Sequence, residues 1–160
     1  MKSYAAPWSN LLKITSAIMV ILSLVTIFGS SYLPLNIPKW SVHLTRWTLP
    51  VIVIACVPFI VLNYSIANKQ LLIRRPFRTT RFDLTDFQSA AYAPKAMNKC
   101  LRLCGNGGIF SFTGWFWNST LGNFQAFVTD PNRTVVMRFK NKTIIVSPDD
   151  PEAFVTELNS

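Results

Sequence analysis

The sequence predicts an α+β membrane protein, in which an N-terminal hairpin of two transmembrane helices precedes a small β domain. The β domain is expected to be an antiparallel barrel or sandwich of about seven strands, capped by a C-terminal helix. Half of the 160 residues are hydrophobic and only 14% are charged, whereas soluble domains carry about a quarter charged residues. The apolar excess lies in residues 1–67, and short strand-like stretches follow it.

The hairpin is predicted from two uncharged runs. Residues 14–35 form a run of 22 and residues 47–67 a run of 21, and a span needs about 20. We therefore assign residues 1–67 to the hairpin, with spans at about 14–35 and 47–67, and residues 68–160 to the β domain. Pro58 is expected to kink the second helix. A cleaved signal peptide is the alternative for the first run, because Lys2 and Lys13 are basic.

Charge predicts the orientation of the hairpin. The segment between the runs holds only Lys39 and Arg46 as basic residues, whereas five follow the second run closely: Lys69, Arg74, Arg75, Arg78 and Arg81. The positive-inside rule then places both termini in the cytoplasm. We expect a multi-pass protein of the bacterial inner membrane. Three glycosylation sequons, at Asn118, Asn132 and Asn141, would matter only in a secretory lumen, and such short motifs arise by chance.

The β domain is predicted from strand and turn signals taken in chain order. Strands are expected at 71–75, 78–83, 100–104, 110–118, 124–129, 134–139 and 143–146. Residues 84–87 are expected to be a turn or loop, and Gly105–Gly108 should break the chain. The stretches at 130–132 and 141–142 indicate turns. Asp150 is a good N-cap and Pro151 a good first residue for a helix over 151–158.

A resemblance to a known family rests on the two apolar spans, on the strand LLIRR and on two longer segments. These segments are LRLCGNGGIFSFTGWFWNSTLGNFQAFVTD and VVMRFKNKTIIVSPDDPEAFVTEL. Together they resemble the bacterial pleckstrin-homology-like (PH) domain family in its membrane-anchored form, over about 68–158. The resemblance implies two orthogonal antiparallel sheets capped by a C-terminal helix. It implies neither an enzymatic activity nor a settled ligand, so no binding residue is carried over.

The sequence contains no convincing catalytic, cofactor or metal constellation. The single histidine, His43, falls in the predicted extracytoplasmic loop, and a zinc site needs about four ligands. Cys100 and Cys104 are expected to be reduced thiols together with Cys56. Gly105–Gly108 invites a phosphate-cradle reading, but it lacks the ending of a P-loop, and a glycine bend is the alternative. We therefore predict that the protein is not an enzyme and uses no cofactor.

Two sets of residues are candidates for binding. Arg74, Arg75, Arg78 and Arg81 could form a basic face towards the bilayer or around a phosphate group, or they could be topology determinants on solvated strand faces. Trp115 and Trp117 share a strand face, where they could be core residues or a partner surface.

The leading functional hypothesis is a non-catalytic, membrane-tethered scaffold that binds a protein or self-assembles. The first alternative is an anionic-lipid sensor that uses the arginines. The second, an accessory subunit of a membrane enzyme or transporter, is disfavoured because neither predicted span carries an ionisable residue. The expected partners are the bilayer, a protein or a second copy, and an anionic phospholipid. Nucleic acid is not expected, because a basic segment beside a membrane anchor is better explained by lipid or topology.

Overall fold

The computed structural model describes residues 2–29 and 38–159. The helices in this part of the chain are α1 (Asn10–Gly29), α2 (Lys39–Cys56) and α3 (Pro151–Asn159). The strands are β1 (Lys2–Ala5), β2 (Asn63–Ala67), β3 (Gln70–Arg74), β4 (Thr79–Asp83), β5 (Phe87–Tyr92), β6 (Leu101–Ile109), β7 (Ser111–Asn118), β8 (Gly122–Val128), β9 (Val135–Phe139) and β10 (Thr143–Val146).

Helices α1 and α2 are long and apolar enough to cross a membrane, and few of their residues are buried within the protein. Helix α1 begins four residues before the predicted span, where the Ser9 hydroxyl accepts a hydrogen bond from the Leu12 amide at 3.2 Å. Such a bond is typical of a helix N-cap. The last residues of the predicted span 14–35, from residue 30 onward, lie outside the described residues.

The predicted second span, 47–67, differs from α2 at both ends. The helix begins at Lys39 and therefore includes His43 and Arg46, which precede the predicted uncharged run. Pro58 does not kink the helix, because the helix ends at Cys56 and a 3-10 turn, Val57–Phe59, follows. An apolar run of this kind cannot by itself distinguish helix from buried strand, and its last five residues form β2.

The first sheet has the order β1-β2-β3-β4 and is antiparallel throughout. Its strand β1 precedes the helical hairpin and β2 follows it, with Tyr4 directly opposite Tyr64. The Tyr4 hydroxyl also donates to the Glu157 carboxylate of α3 at 2.6 Å. Two strands of this sheet thus lie within residues 1–67, the range that the sequence assigned to the hairpin.

The second sheet has the order β5-β9-β10-β8-β7-β6. Its pairs are antiparallel except that β8 and β10 run parallel. The described residues contain ten strands instead of about seven, because β1, β2 and β5 were not predicted. The two sheets form an open sandwich, so the predicted sandwich is confirmed and the barrel is not.

The main core lies between the two sheets and is capped by α3. Fully buried members include Tyr64, Phe127, Met137 and Phe154. The Asp150 carboxylate accepts a bond from the Ala153 amide at 3.0 Å, which confirms the predicted N-cap. A second cluster, centred on Phe124, fills the other face of the six-stranded sheet.

The predicted chain break at Gly105–Gly108 is wrong, because β6 continues through these residues. Gly105 lies opposite Gly114, and both have positive φ. A Cβ on Gly105 would lie 2.7 Å from the Cα of Gly114. The glycine pair therefore allows two backbones to approach more closely than any other residues could.

Candidate functional site

The first candidate site is an exposed apolar area on the outer two strands of the six-stranded sheet. Trp115 is 46% and Trp117 41% exposed, and Leu101 and Leu103 of β6 are exposed beside them. Leu101 lies directly opposite Trp117, so it shares a face with Trp117 and Trp115, which alternate along β7. Leu103 is exposed at the bulge between Arg102 and Cys104. We call these four residues the tryptophan surface.

The tryptophan surface is exposed because the four-stranded sheet covers only part of this face. On β8 the same face carries Phe127, which is buried in the main core, and then Gln125 and Asn123, which are opposite Trp115 and Trp117. The polar side chains of β8 therefore mark the margin of the core. The two leucines are functional candidates that the sequence interpretation missed. A bulge after Arg102 interrupts the alternation of side chains in β6, so the sequence pattern alone does not place them beside the tryptophans.

Strand β6 also has an open edge. It is the last strand in the sheet order, and no described strand pairs with its outer side. Such an edge presents unpaired backbone N–H and C=O groups to another chain. The segment 87–129, which contains this edge, carries Lys95, Lys99 and Arg102 and no acidic residue.

The other end of the β6–β7 hairpin contacts both N-terminal helices. The Thr15 hydroxyl of α1 donates to the Gly108 carbonyl at 2.9 Å. The Ser111 and Thr113 hydroxyls of β7 donate to the Phe59 carbonyl at 2.7 and 3.1 Å. Trp117 lies six residues beyond Ser111, so the far end of the tryptophan surface is about 20 Å along the strand from the helices.

The second candidate site is the turn between β3 and β4, residues 74–81, which we call the arginine hairpin. The Arg75 amide donates to the Arg78 carbonyl at 3.0 Å, with Pro76 and Phe77 as the loop. Arg74 and Arg81 are exposed on the outer face of the sheet. The four predicted arginines therefore do not form a single face.

Arg75 instead points into the protein and is only 6% exposed. Its guanidinium carbon lies 4.8 Å from the centre of the Phe127 ring. Its Nε is buried without a hydrogen-bond partner in the described part of the chain. Burial and then the neighbouring charge of Arg78 lower the pKa of Arg75 to about 10, so its charge at neutral pH disfavours folding.

Two neighbours of Arg75 complete the second site, and the sequence interpretation singled out neither. Thr80 also has a buried hydroxyl without a partner among the described residues. Phe77, at the tip of the loop, is 76% exposed. The Leu62 amide, close after the end of α2, donates to the Arg74 carbonyl at 2.9 Å, so this tip lies at the helix-proximal end of the sheet.

The described residues provide little for metal or thiol chemistry. No group of three or more His, Cys, Asp or Glu side chains comes together within residues 2–29 and 38–159. Cys100 and Cys104 are free thiols, and burial raises the pKa of Cys100. A thiol with a raised pKa is less reactive at neutral pH.

Comparison with known proteins identifies the family. Comparisons with curated proteins and with solved structures gave no match. A family model described as bacterial PH domain matches residues 62–160, which begin just before β2 and include both sheets except β1. Domains of this family are generally non-catalytic. The chain therefore belongs to the bacterial PH domain family.

Proposed function

We propose that this protein is a non-catalytic scaffold, anchored in the bacterial inner membrane by α1 and α2, that binds a protein partner through the tryptophan surface. The observation that carries the proposal is the exposure of Trp115 and Trp117 beside the open edge of β6. Large aromatic side chains are enriched at interfaces, where they supply most of the binding energy. An open strand edge adds backbone hydrogen bonds to a partner strand.

The pairing of β1 with β2 supports the proposed topology. Because β1 precedes α1 and β2 follows α2, the two ends of the helical hairpin meet in one sheet. Two spans would give this arrangement only if both ends of the hairpin lie on the same side of the membrane. With the positive-inside rule, that side is the cytoplasm.

Charge favours a partner that is acidic as well as apolar. The segment around the tryptophan surface is basic and lacks acidic residues, and the whole chain has a net charge of +9. Two copies meeting at this surface would bring like charges together, whereas an acidic partner would be attracted to it. We therefore infer that the occupant is a protein segment with apolar and acidic side chains, added as a strand beside β6.

Photo-crosslinking in the native membrane tests the proposal. A crosslinking residue at position 103 of the full-length protein should capture one stoichiometric partner. Capture should be lost in the Trp115→Ala, Trp117→Ala variant and should weaken as salt is raised, because salt screens the charge attraction. The captured protein, purified, should bind the detergent-solubilised wild type with the same dependence.

Tyr92→Ala is the matched control, because Tyr92 is an exposed aromatic residue on β5, the opposite edge of the same sheet. This variant should bind like the wild type. Capture of a second copy would retain the surface as an interface and reject the acidic partner. Lipid-only adducts, or equal losses in the Tyr92 and tryptophan variants, would reject protein binding at this surface.

A further inference from the structure

Arg75 is a buried cation without a counter-ion in the described part of the chain. No hydrogen bond or ion pair joins its guanidinium to residues 2–29 or 38–159, and only the Phe127 ring contacts it as a cation–π partner. Buried charges in proteins are generally paired or bind an ion, because leaving them uncompensated is costly. The counter-charge for Arg75 is therefore expected to come from a ligand.

Arg78 adds a second positive charge at the same place. Arg75 and Arg78 flank the two-residue loop between β3 and β4 and are joined by a backbone hydrogen bond, and the charge of Arg78 contributes to lowering the pKa of Arg75, so the two guanidinium groups lie close to each other. Like charges in this arrangement repel each other. No acidic residue occurs in the chain before Asp83. An anion would relieve the repulsion and the burial cost together.

Thr80 supplies a third polar group on this face. It lies opposite Ile73, two residues from Arg75 on the neighbouring strand, so the two side chains are diagonal neighbours. Its hydroxyl is buried and has no partner in the described residues. The Phe127 ring beneath the Arg75 guanidinium has no oxygen acceptor, so the N–H groups of Arg75 remain for a ligand. Two guanidinium groups and a hydroxyl suit the oxygens of a phosphate.

The position of the hairpin indicates where the phosphate would come from. The backbone of Arg74 is bonded to Leu62, three residues beyond the turn that ends α2. The loop between the arginines presents Phe77, which is 76% exposed. Apolar aromatic side chains such as phenylalanine can bury themselves at the boundary between headgroups and acyl chains. With α1 and α2 anchored as proposed above, this end of the domain would face the lipid phosphates.

We propose that Arg75, Arg78 and Thr80 form a binding site for a phosphate group, supplied by an anionic phospholipid of the surrounding bilayer. Phe77 inserts into the interface beside the bound headgroup. The site is separate from the tryptophan surface and does not depend on the proposed protein partner. Arg74 and Arg81, on the opposite face of the sheet, are not part of it.

Lipid titration of the full-length protein tests the site. The protein is delipidated in dodecyl maltoside without phosphate, and its thermal unfolding is followed as phosphatidylglycerol is added. Dioleoylglycerol, which has the acyl chains but no phosphate, is the lipid control. Inorganic phosphate, against sodium chloride of equal ionic strength, tests the free anion. We expect phosphatidylglycerol to raise the unfolding temperature and dioleoylglycerol to have no such effect.

Two variants test the residues. Arg78→Gln changes an exposed residue, and Arg75→Met keeps an unbranched apolar chain over Phe127. Each should raise the half-saturating phosphatidylglycerol concentration at least about tenfold, since each removes a charge-assisted interaction. Arg81→Gln is the matched control, with the same charge change on the other face of the hairpin, and should alter it less than about twofold. Without lipid, Arg75→Met should be at least as stable as the wild type, because an uncompensated charge is removed.

The outcomes are distinguishable. Stabilisation by phosphatidylglycerol alone, or by both it and inorganic phosphate, supports the site. Stabilisation by inorganic phosphate alone would support a phosphate-binding site but would contradict the proposal that a phospholipid supplies the phosphate. The proposal would be overturned if neither probe stabilised the protein. It would also be overturned if Arg81→Gln raised the half-saturating phosphatidylglycerol concentration as much as Arg75→Met and Arg78→Gln do. Unfolding of Arg75→Met in the absence of lipid would show that Arg75 serves the core instead.

Discussion

The two ends of the six-stranded sheet differ in what covers them. Towards the β5 edge, on β9 and β10, the face towards the first sheet is buried under that sheet and α3, and Met137 and Ile144 have no exposed surface. At the end formed by β6 and β7, the same face carries two exposed tryptophans. The sheet is therefore wider than its cover. Apolar residues at the covered end are explained by folding, whereas those at the uncovered end call for another explanation.

This difference gives a measurable contrast between residues of similar chemistry. Truncating an aromatic side chain at the covered end should cost stability and leave binding to the folded fraction unchanged. Truncating an aromatic side chain at the uncovered end should weaken binding and leave stability nearly unchanged. Each variant below tests one side of this contrast.

The largest loss is expected from Phe154→Ala, at the covered end. Phe154 is fully buried, and its ring centre lies 5.0 Å from that of Tyr4 and 6.4 Å from that of Tyr64. Removing the ring leaves a cavity and should lower the free energy of unfolding by about 3–5 kcal/mol. Denaturant titration of the full-length protein in detergent measures it. A loss below about 1 kcal/mol would mean that this end is not tightly packed.

Tyr64→Phe should lower the free energy of unfolding by about 1–3 kcal/mol. The Tyr64 hydroxyl donates to the Phe127 carbonyl at 2.6 Å and accepts from the Ser147 amide at 3.3 Å. Both groups are buried and would lose this partner. The same denaturant titration measures the loss, and Phe154→Ala provides the upper reference.

The pH dependence of Tyr64 sharpens the same test. Burial raises the pKa of Tyr64 to about 12 from 10.0. Between these values the unfolded chain ionises while the folded protein keeps the proton, so wild-type stability should fall as pH rises from 10 to 12. Tyr64→Phe should lack this part of the decline. An identical alkaline decline in both proteins would contradict the assignment.

Asp150→Ala should lower the free energy of unfolding by about 1 kcal/mol, because the cap of α3 is lost. This helix covers the buried end of the sheet, so the loss reports how firmly the cover is held. Asp150→Asn should retain most of the stability, since an asparagine side chain also accepts the Ala153 bond. Thermal unfolding of the three proteins provides the comparison, and an equal loss in both variants would argue for charge over capping.

The smallest effect on stability is expected from Trp117→Ala, at the uncovered end. The residue is 41% exposed, and substitutions outside the packed core usually change stability by only about 0.5 kcal/mol. Denaturant titration beside Phe154→Ala checks the ratio of the two losses. A loss of Trp117 comparable to that of Phe154 would break the contrast and reassign the tryptophan surface to the core.

Local signals predicted the C-terminal half of the fold well. Strand β10 occupies the predicted residues, and the Asp150 cap and the Pro151 helix start are confirmed. These features depend on residues near each other in sequence. Strands β1, β2 and β5 were missed for physical reasons. Strand β1 is only four residues long, and the apolar residues of β2 continue the preceding apolar run, where helix and buried strand look alike.

The candidate sites show the same division between local and distant information. Trp115 and Trp117 could be placed on one face from alternation alone. The burial of Arg75 could not be predicted, because its position beside Phe127 depends on how β3 meets β8, about 50 residues later along the chain. Arginines after a membrane span also have a sufficient explanation in topology. Only the packing of the folded protein distinguishes the buried Arg75 from the exposed Arg74.

The early position of β1 has a consequence for biogenesis. Strand β1 emerges from the ribosome before α1 and α2, but its partner β2 begins at Asn63 and its ion-pair partner is Glu157, 3.7 Å from Lys2. At about 5–20 residues per second, several seconds pass between the synthesis of β1 and that of β2. Under the proposed topology, a hairpin inserted with its ends on opposite sides would leave β2 paired with β3 but with its other edge open. Under that topology, pairing of β1 with β2 would be possible only after both ends of the hairpin lie on the same side of the membrane.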